Sequence, residues 1–134
     1  MSIEGIEWRA RREQLGLSQA ALADLFGVGQ NAVAQWETGA RAPKDAFGYA
    51  ALLGDLEDVL NELTDELLES VESASARHDS PRVTVRTFAS DEAFHAADSR
   101  AKAEGWPAVL HRVAAAKAAS LLRDDGIEAS IVEA

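Results

Sequence analysis

The sequence of 134 residues predicts a mainly α protein, with an N-terminal helical domain followed by a small α/β unit. Three observations carry this. Apolar residues recur at helical spacing, punctuated by caps and stop signals, through the first half. The period then changes to alternation in "VTVRTF", Val83 to Phe88, and a second short β-branched run, "IEASIV", follows at the end. Between the halves lies a strongly acidic stretch.

"IEWRARREQLGL" reads as a helix ending near Gly16. Ser18 suits the N-cap of "QAALADLF", in which Ala21, Leu22 and Leu25 fall at helical spacing. Gly27 stops that helix. A third begins at Gly29 or Gln30 and runs to about Trp36, and Gly39 stands where a left-handed C-terminal residue is expected. Pro43 suits the first turn of a fourth helix, "PKDAFGYAALLG". A fifth, "DLEDVLNELTDELLESVESA", places Leu56, Val59, Leu60, Leu63, Leu67 and Val71 along one stripe, with acids over the remainder. "SASARHDSPR", residues 73–82, has the composition of a linker. After the strand at Val83, Ser90 caps a helix over "DEAFHAADSRAKAEG". "PAVLHRVAAAKAASLLRDDG" forms the next, with Pro107 early and Gly126 past its end. The C-terminal part is therefore β-α-α-β. Two short strands are marginal alone, so this unit is expected to find its remaining partners in a second subunit. The expected division is a helical domain at 1–54, an acidic helix and linker at 55–81, and a C-terminal α/β unit at 82–134.

The formal net charge is −10, which argues against a nucleic-acid binder until its distribution is examined. Residues 1–44 hold five basic side chains and five acids, residues 45–80 ten acids and one base, and residues 81–134 eight acids and seven bases. The acidity is concentrated in the middle, and binding depends on the charge that faces a partner. There is no cysteine, which excludes disulfides and thiolate metal sites. The opening "MSIEGIEW" and the lack of a long apolar run argue against a secretory signal or membrane span; a soluble, cytoplasmic protein is expected. His78, His95 and His111 are scattered without paired spacing, so neither a metal nor another cofactor is expected. No serine sits in a nucleophile elbow, neither His95 near Ser90 nor His111 near Ser120 makes a catalytic pair, and Asp124-Asp125 reads as a charged helix end. Catalysis is not expected.

One stretch admits two chemistries. Gly27-x-Gly29-x-x-Ala32 approximates a dinucleotide-binding loop, but that loop must leave a buried strand, and here "QAALADLF" is helical. The alternative is a helix, a tight turn around Gly27-Val28-Gly29, and a second helix able to enter a major groove. Leu22, Leu25, Val28, Val33 and Trp36 form the apolar seam between the two helices. Gln30, Asn31 and Gln35 face outward, and carboxamides donate and accept together as adenine edges require.

Residues 15–43, "LGLSQAALADLFGVGQNAVAQWETGARAP", resemble the Cro/C1-type, XRE-like helix-turn-helix regulators of prokaryotes and phages, through Leu17-Ser18-Gln19, Leu22-Ala23, Gly27-Val28, Val33, Trp36-Glu37, Gly39 and Pro43. The resemblance spans about the first 55 residues and implies a five-helix, lambda-repressor-like DNA-binding domain. It implies that Gln30, Asn31 and Gln35 read base edges, that Gln19 touches phosphate or an outer base, and that Thr38, Arg41 and Lys44 hold phosphates; Arg9 is a further phosphate candidate. Arg12 and Glu37 stand where such domains form an internal ion pair. Gly29 replaces the usual hydroxyl, Ala34 removes a polar contact, Thr38 replaces a common Asn, and Arg11 takes an often apolar position. The layout downstream, with "GWPAVLHRVAAAKAA" from Gly105 to Ala119, resembles the anti-CRISPR-associated autorepressors and their YdiL-type relatives, whose C-terminal unit dimerises. That resemblance implies dimerisation and repression of the protein's own operon; the expected form is a homodimer on an inverted-repeat operator in double-stranded DNA, with Val83, Val85, Phe88, Trp106, Leu110 and Ile131 at the dimer contact. An alternative is an antitoxin whose C-terminal half binds a toxin; a third is a small α/β binding module or enzyme carrying a vestigial motif.

Overall fold

A computed structural model describes residues 3–78 and 82–134, with the backbone alone for 73–78. The protein is mainly helical, with one small sheet among the described residues. It divides into two compact units, Met1–Asp58 and Val59–Ala134.

The first unit holds α1 (Gly5–Gln14), α2 (Gln19–Phe26), α3 (Gln30–Thr38) and the opening of α4 (Ala46–His78). Ser18 caps α2, its hydroxyl accepting from the Ala21 amide at 3.0 Å. The core is an aromatic and leucine cluster. Trp36 of α3 lies 5.5 Å from Trp8 of α1, 6.4 Å from Phe26 of α2 and 4.9 Å from Tyr49 of α4, ring centre to ring centre. One tryptophan thus touches all three neighbouring helices, and such contacts add about 0.5–1.5 kcal/mol each beyond area burial. Leu15, Leu17, Leu22, Val33 and Leu53 fill the remaining space.

Two expectations for this half need correction. The anticipated fourth and fifth helices are one helix, α4, because Leu53, Leu56, Leu60 and Leu63 are buried in unbroken helical register across Gly54. Gly54 is not among the positive-φ glycines, and without that reversal a lone glycine costs about 1 kcal/mol but does not end a helix. Pro43 lies in the loop before α4, whose first amides are instead capped by Asp45, Oδ1 accepting from Gly48 N at 3.0 Å.

In the second unit, the rest of α4 precedes β1 (Arg82–Thr87), α5 (Asp91–Ala97), α6 (Ser99–Glu104), α7 (Ala108–Asp124) and β2 (Glu128–Glu133). The expected linker is helical through His78, and residues 79–81 lie outside the described residues. The His78 side chain is likewise outside them. The single helix expected over 91–105 is two, because Asp98 adopts an extended conformation and its carboxylate accepts from the Arg100 and Ala101 amides. β1 and β2 pair in parallel, Val85 beside Ile131. Val85 and Ala129 from the sheet, Val71 of α4, and Ala115, Ala118, Ala119 and Leu122 of α7 form the core. The alanines let α7 approach the strands closely. Arg123 fixes its end, donating to Ala129 O at 2.8 Å, and Arg112 fixes its start, donating to Phe88 O at 2.8 Å. His111, buried beneath Phe88 and Phe94, is hydrogen-bonded through Nδ1 to Thr87 Oγ1 at 2.7 Å. His95 Nε2 lies 2.7 Å from Trp106 O.

Val85 and Leu110, expected at a dimer contact, are 1% and 0% exposed within their own unit. They have no surface to offer a partner. Val83, Phe88 and Trp106 are half-buried, and Ile131 is exposed. Leu121 is exposed as well.

Candidate nucleic-acid interface

Gly27 closes α2 in the left-handed conformation, φ 70°, and Val28 N donates back to Ala23 O at 3.0 Å. The chain then extends through Gly29, φ −77° and ψ 152°, and enters α3. Gly29 supplies no side-chain cap; the Ala32 amide donates to Gly29 O at 3.1 Å, and the positive end of the helix dipole is uncovered. Leu22, Val33 and Trp36 bury the inner side of the pair; Gln30, Asn31 and Gln35 are exposed on α3. At its far end Gly39, φ 79°, turns the chain, and Arg41 N donates to Gln35 O at 3.2 Å. This places Arg41 directly behind the helix. Thr38 Oγ1 caps locally, donating to Gln35 O at 3.3 Å.

The unit carries nine acidic and five basic side chains, so any attraction for phosphate must be local. Three of the cations are used internally. Arg9 pairs with Glu13, with both half-exposed, and Arg11 pairs with Glu7 and Glu57. Arg12 grips Glu37 in a bidentate pair at 2.6 and 2.9 Å and donates to Leu17 O at 2.8 Å. Arg41 and Lys44 are exposed and carry no ion pair among the described residues. Both free cations therefore fall in the loop that leaves α3.

The Arg12–Glu37 pair sets the angle at which α3 is presented. The Glu37 side chain is only 3% exposed and also accepts from Gln19 Nε2 at 3.1 Å. Burial pushes the Glu37 carboxyl up, but the hydrogen bonds from Arg12 and Gln19 and the charges of Arg12 and Arg9 outweigh it, so it ionises below its ordinary range. The ends of α1, α2 and α3 thus meet on one carboxylate. Gln19 spends an N–H on this clamp, which makes it a bracing residue as well as a phosphate candidate. Arg9 is already paired and exposed at the surface.

Gly5 is a residue that the sequence did not single out. A β-carbon there would meet Glu37 O and lie 2.8 Å from Trp36 O, closer than real side chains come to backbone. Its absence lets α1 press against the end of α3. A glycine near a helix start reads as an ordinary cap, and no local signal distinguishes it.

A two-helix hairpin with a buried apolar seam, exposed carboxamides on its second helix and exposed cations just beyond it has the geometry of a helix-turn-helix. Residues 9–47 match the family model described as Helix-turn-helix, and this domain, of the Cro/C1 type, is that of DNA-binding transcription regulators. Among curated proteins, none matches the chain. No described helix is long and apolar enough to cross a membrane.

Proposed function

We propose that the protein is a homodimeric, sequence-specific repressor acting on an inverted-repeat operator, and that it controls its own synthesis as the anti-CRISPR-associated autorepressors do. α3 enters the major groove. Gln30, Asn31 and Gln35 read base edges there, while Thr38, Arg41 and Lys44 hold the flanking phosphates, with Gln19 and Arg9 at the periphery. The observation that carries this reading is the coincidence of exposed carboxamides and unpaired cations on one short segment of an otherwise acidic unit. A two-fold dimer, joined through the second unit, sets two copies of α3 roughly 34–36 Å apart, one turn of DNA.

Selection of bound duplexes from a random pool tests this directly, with an inverted repeat as the expected product. On that duplex, Gln30→Ala or Asn31→Ala costs about 1–3 kcal/mol and relaxes preference at one or two positions. Arg41→Ala weakens all duplexes alike and reduces the dependence on salt. Undiminished preference in the α3 variants refutes base reading by these residues. A stoichiometric second protein on native purification, in place of a homodimer, gives the antitoxin reading.

A further inference from the structure

We infer that the free edge of β2 is the surface through which two copies of the chain join, with Ile131 on the two-fold axis and Arg123 paired to the partner's Glu133. The inference rests on the dimer proposed above and assigns its contact.

The backbone fixes which groups are available. Ala134 N donates to Thr87 O at 2.8 Å, so the even-numbered residues of β2 turn their amides and carbonyls toward β1. Ala129, Ile131 and Glu133 turn theirs the other way. Among the described residues the sheet has two strands, and no backbone bond reaches Ile131 or Glu133 from that side. The Ile131 side chain shares a face with Val85 and Ala129, which are 1% and 5% exposed, yet is itself 41% exposed. The apolar face of the sheet therefore runs out to this edge uncovered.

Symmetry and charge select the occupant. An antiparallel copy of β2 placed with Ile131 against the partner's Ile131 pairs the outward Ile131 amides and carbonyls reciprocally, while the Ala129 carbonyl stays with Arg123. The two isoleucines cover each other. In the same register the partner's Glu133 lies opposite Ala129, whose carbonyl already holds the Arg123 guanidinium. Neither Arg123 nor Glu133 has an ion pair among the described residues, and the two-fold supplies two such pairs at once. Pairing the outer edge of β1 with its own copy instead sets Arg86 against the partner's Arg82, a like-charge contact that Glu128 beside Arg82 offsets only in part.

The chain has no cysteine, so single thiols test the geometry cleanly. Directly opposed, hydrogen-bonded strand residues lie about 5.5 Å apart, within disulfide range. Mild oxidation of the full chain carrying Ile131→Cys is expected to give a covalent dimer, and Thr84→Cys on the β1 edge none. Glu133→Arg is expected to raise the dimer dissociation constant at least tenfold, and Arg123→Glu combined with it to restore association, with circular dichroism confirming the fold of each. A dimeric wild type in which Ile131→Cys fails to cross-link, or Thr84→Cys does so instead, overturns this edge while leaving the dimer in place. A wild type that sediments as a monomer at micromolar concentration overturns the edge and the proposed dimer together. Loss of DNA reading in the α3 variants bears on neither.

Discussion

The two units bury polar groups in opposite ways. The first sinks a full ion pair, Arg12 with Glu37, into the meeting point of three helices. The second buries a neutral pair, Thr87 with His111, under two phenylalanines, and leaves its charges on the surface in the Glu62, Glu66, Asp98 and Arg100 network. The difference follows from what each must hold. α3 is nine residues long and its outer side is polar, so little apolar surface fixes its orientation. A bidentate pair fixes direction as well as distance. α7 is 17 residues long, with a continuous alanine and leucine side, so apolar contact carries its length while Arg112 and Arg123 fix its ends.

Breaking each network separates the two strategies, and the largest effect belongs to the first. Glu37→Ala strands a buried guanidinium and is expected to cost about 3–5 kcal/mol. At roughly 4–8 °C per kcal/mol, that lowers the unit's melting point by on the order of 15 °C or more. In a Trp106→Phe background the emission of Trp8 and Trp36 reports this unit alone. Arg100→Ala in the second unit removes more ion pairs but from half-exposed positions, and costs about 1 kcal/mol or less. Equal losses in the two variants contradict the contrast.

Gly5→Ala probes the same clamp from its backbone side. The new methyl must displace α1 from the carbonyls of Trp36 and Glu37, at a cost of about 1–3 kcal/mol. DNA binding is expected to fall with stability, since α3 moves with its support. A variant as stable as the wild type shows that α1 stands off from α3.

Acid is expected to sort the units by a smaller effect. Burial lowers the His111 pKa, against the charges of Asp98 and Glu66, which raise it. Neutral His111 therefore contributes stability that is complete above about pH 6.5 and lost as pH falls through its lower folded value. Glu37, also lowered, contributes stability that is complete above about pH 4.5 and lost as pH falls through its folded value. The second unit accordingly softens first on acidification, and His111→Gln removes that step. A first unit that melts earlier on acidification reverses the assignment.

What was legible in the sequence follows the same division. The hairpin of α2 and α3 could be read because each boundary is a local event: a Ser18 cap, Gly27 and Gly39 with positive φ, and an apolar seam at helical spacing. Beyond the hairpin, boundaries depend on more than the local residue type. Gly54 looks like a stop but lies within a leucine stripe that continues past it, and Asp98 looks like a helix interior but caps α6. Val85 and Leu110 are apolar, as interface residues would be, and only the fold shows that their own unit covers them. The i,i+4 spacing of Arg9 with Glu13 and of Glu7 with Arg11 marks those two pairs, whereas the Arg11–Glu57 pair joins distant positions and only the fold shows it.

The smallest expected effect is a gain. α2 and α3 start with the same extended N-cap, but Ser18 offers a hydroxyl and Gly29 does not. A β-carbon at Gly29 meets nothing within 4 Å, and its φ of −77° suits any residue. Gly29→Ser therefore introduces a cap for the Ala32 amide, as Ser18 caps Ala21, and removes glycine's freedom in the unfolded chain. Together these are expected to add about 0.5 kcal/mol to the first unit. The substitution also covers donors at the end of α3 that the proposed function turns toward DNA. If those amides contact phosphate, affinity holds or drops slightly while stability rises; if they do not, both rise together. Thermal melting and duplex titration of the same variant separate the two, and any loss of stability removes Gly29 from the N-cap position altogether.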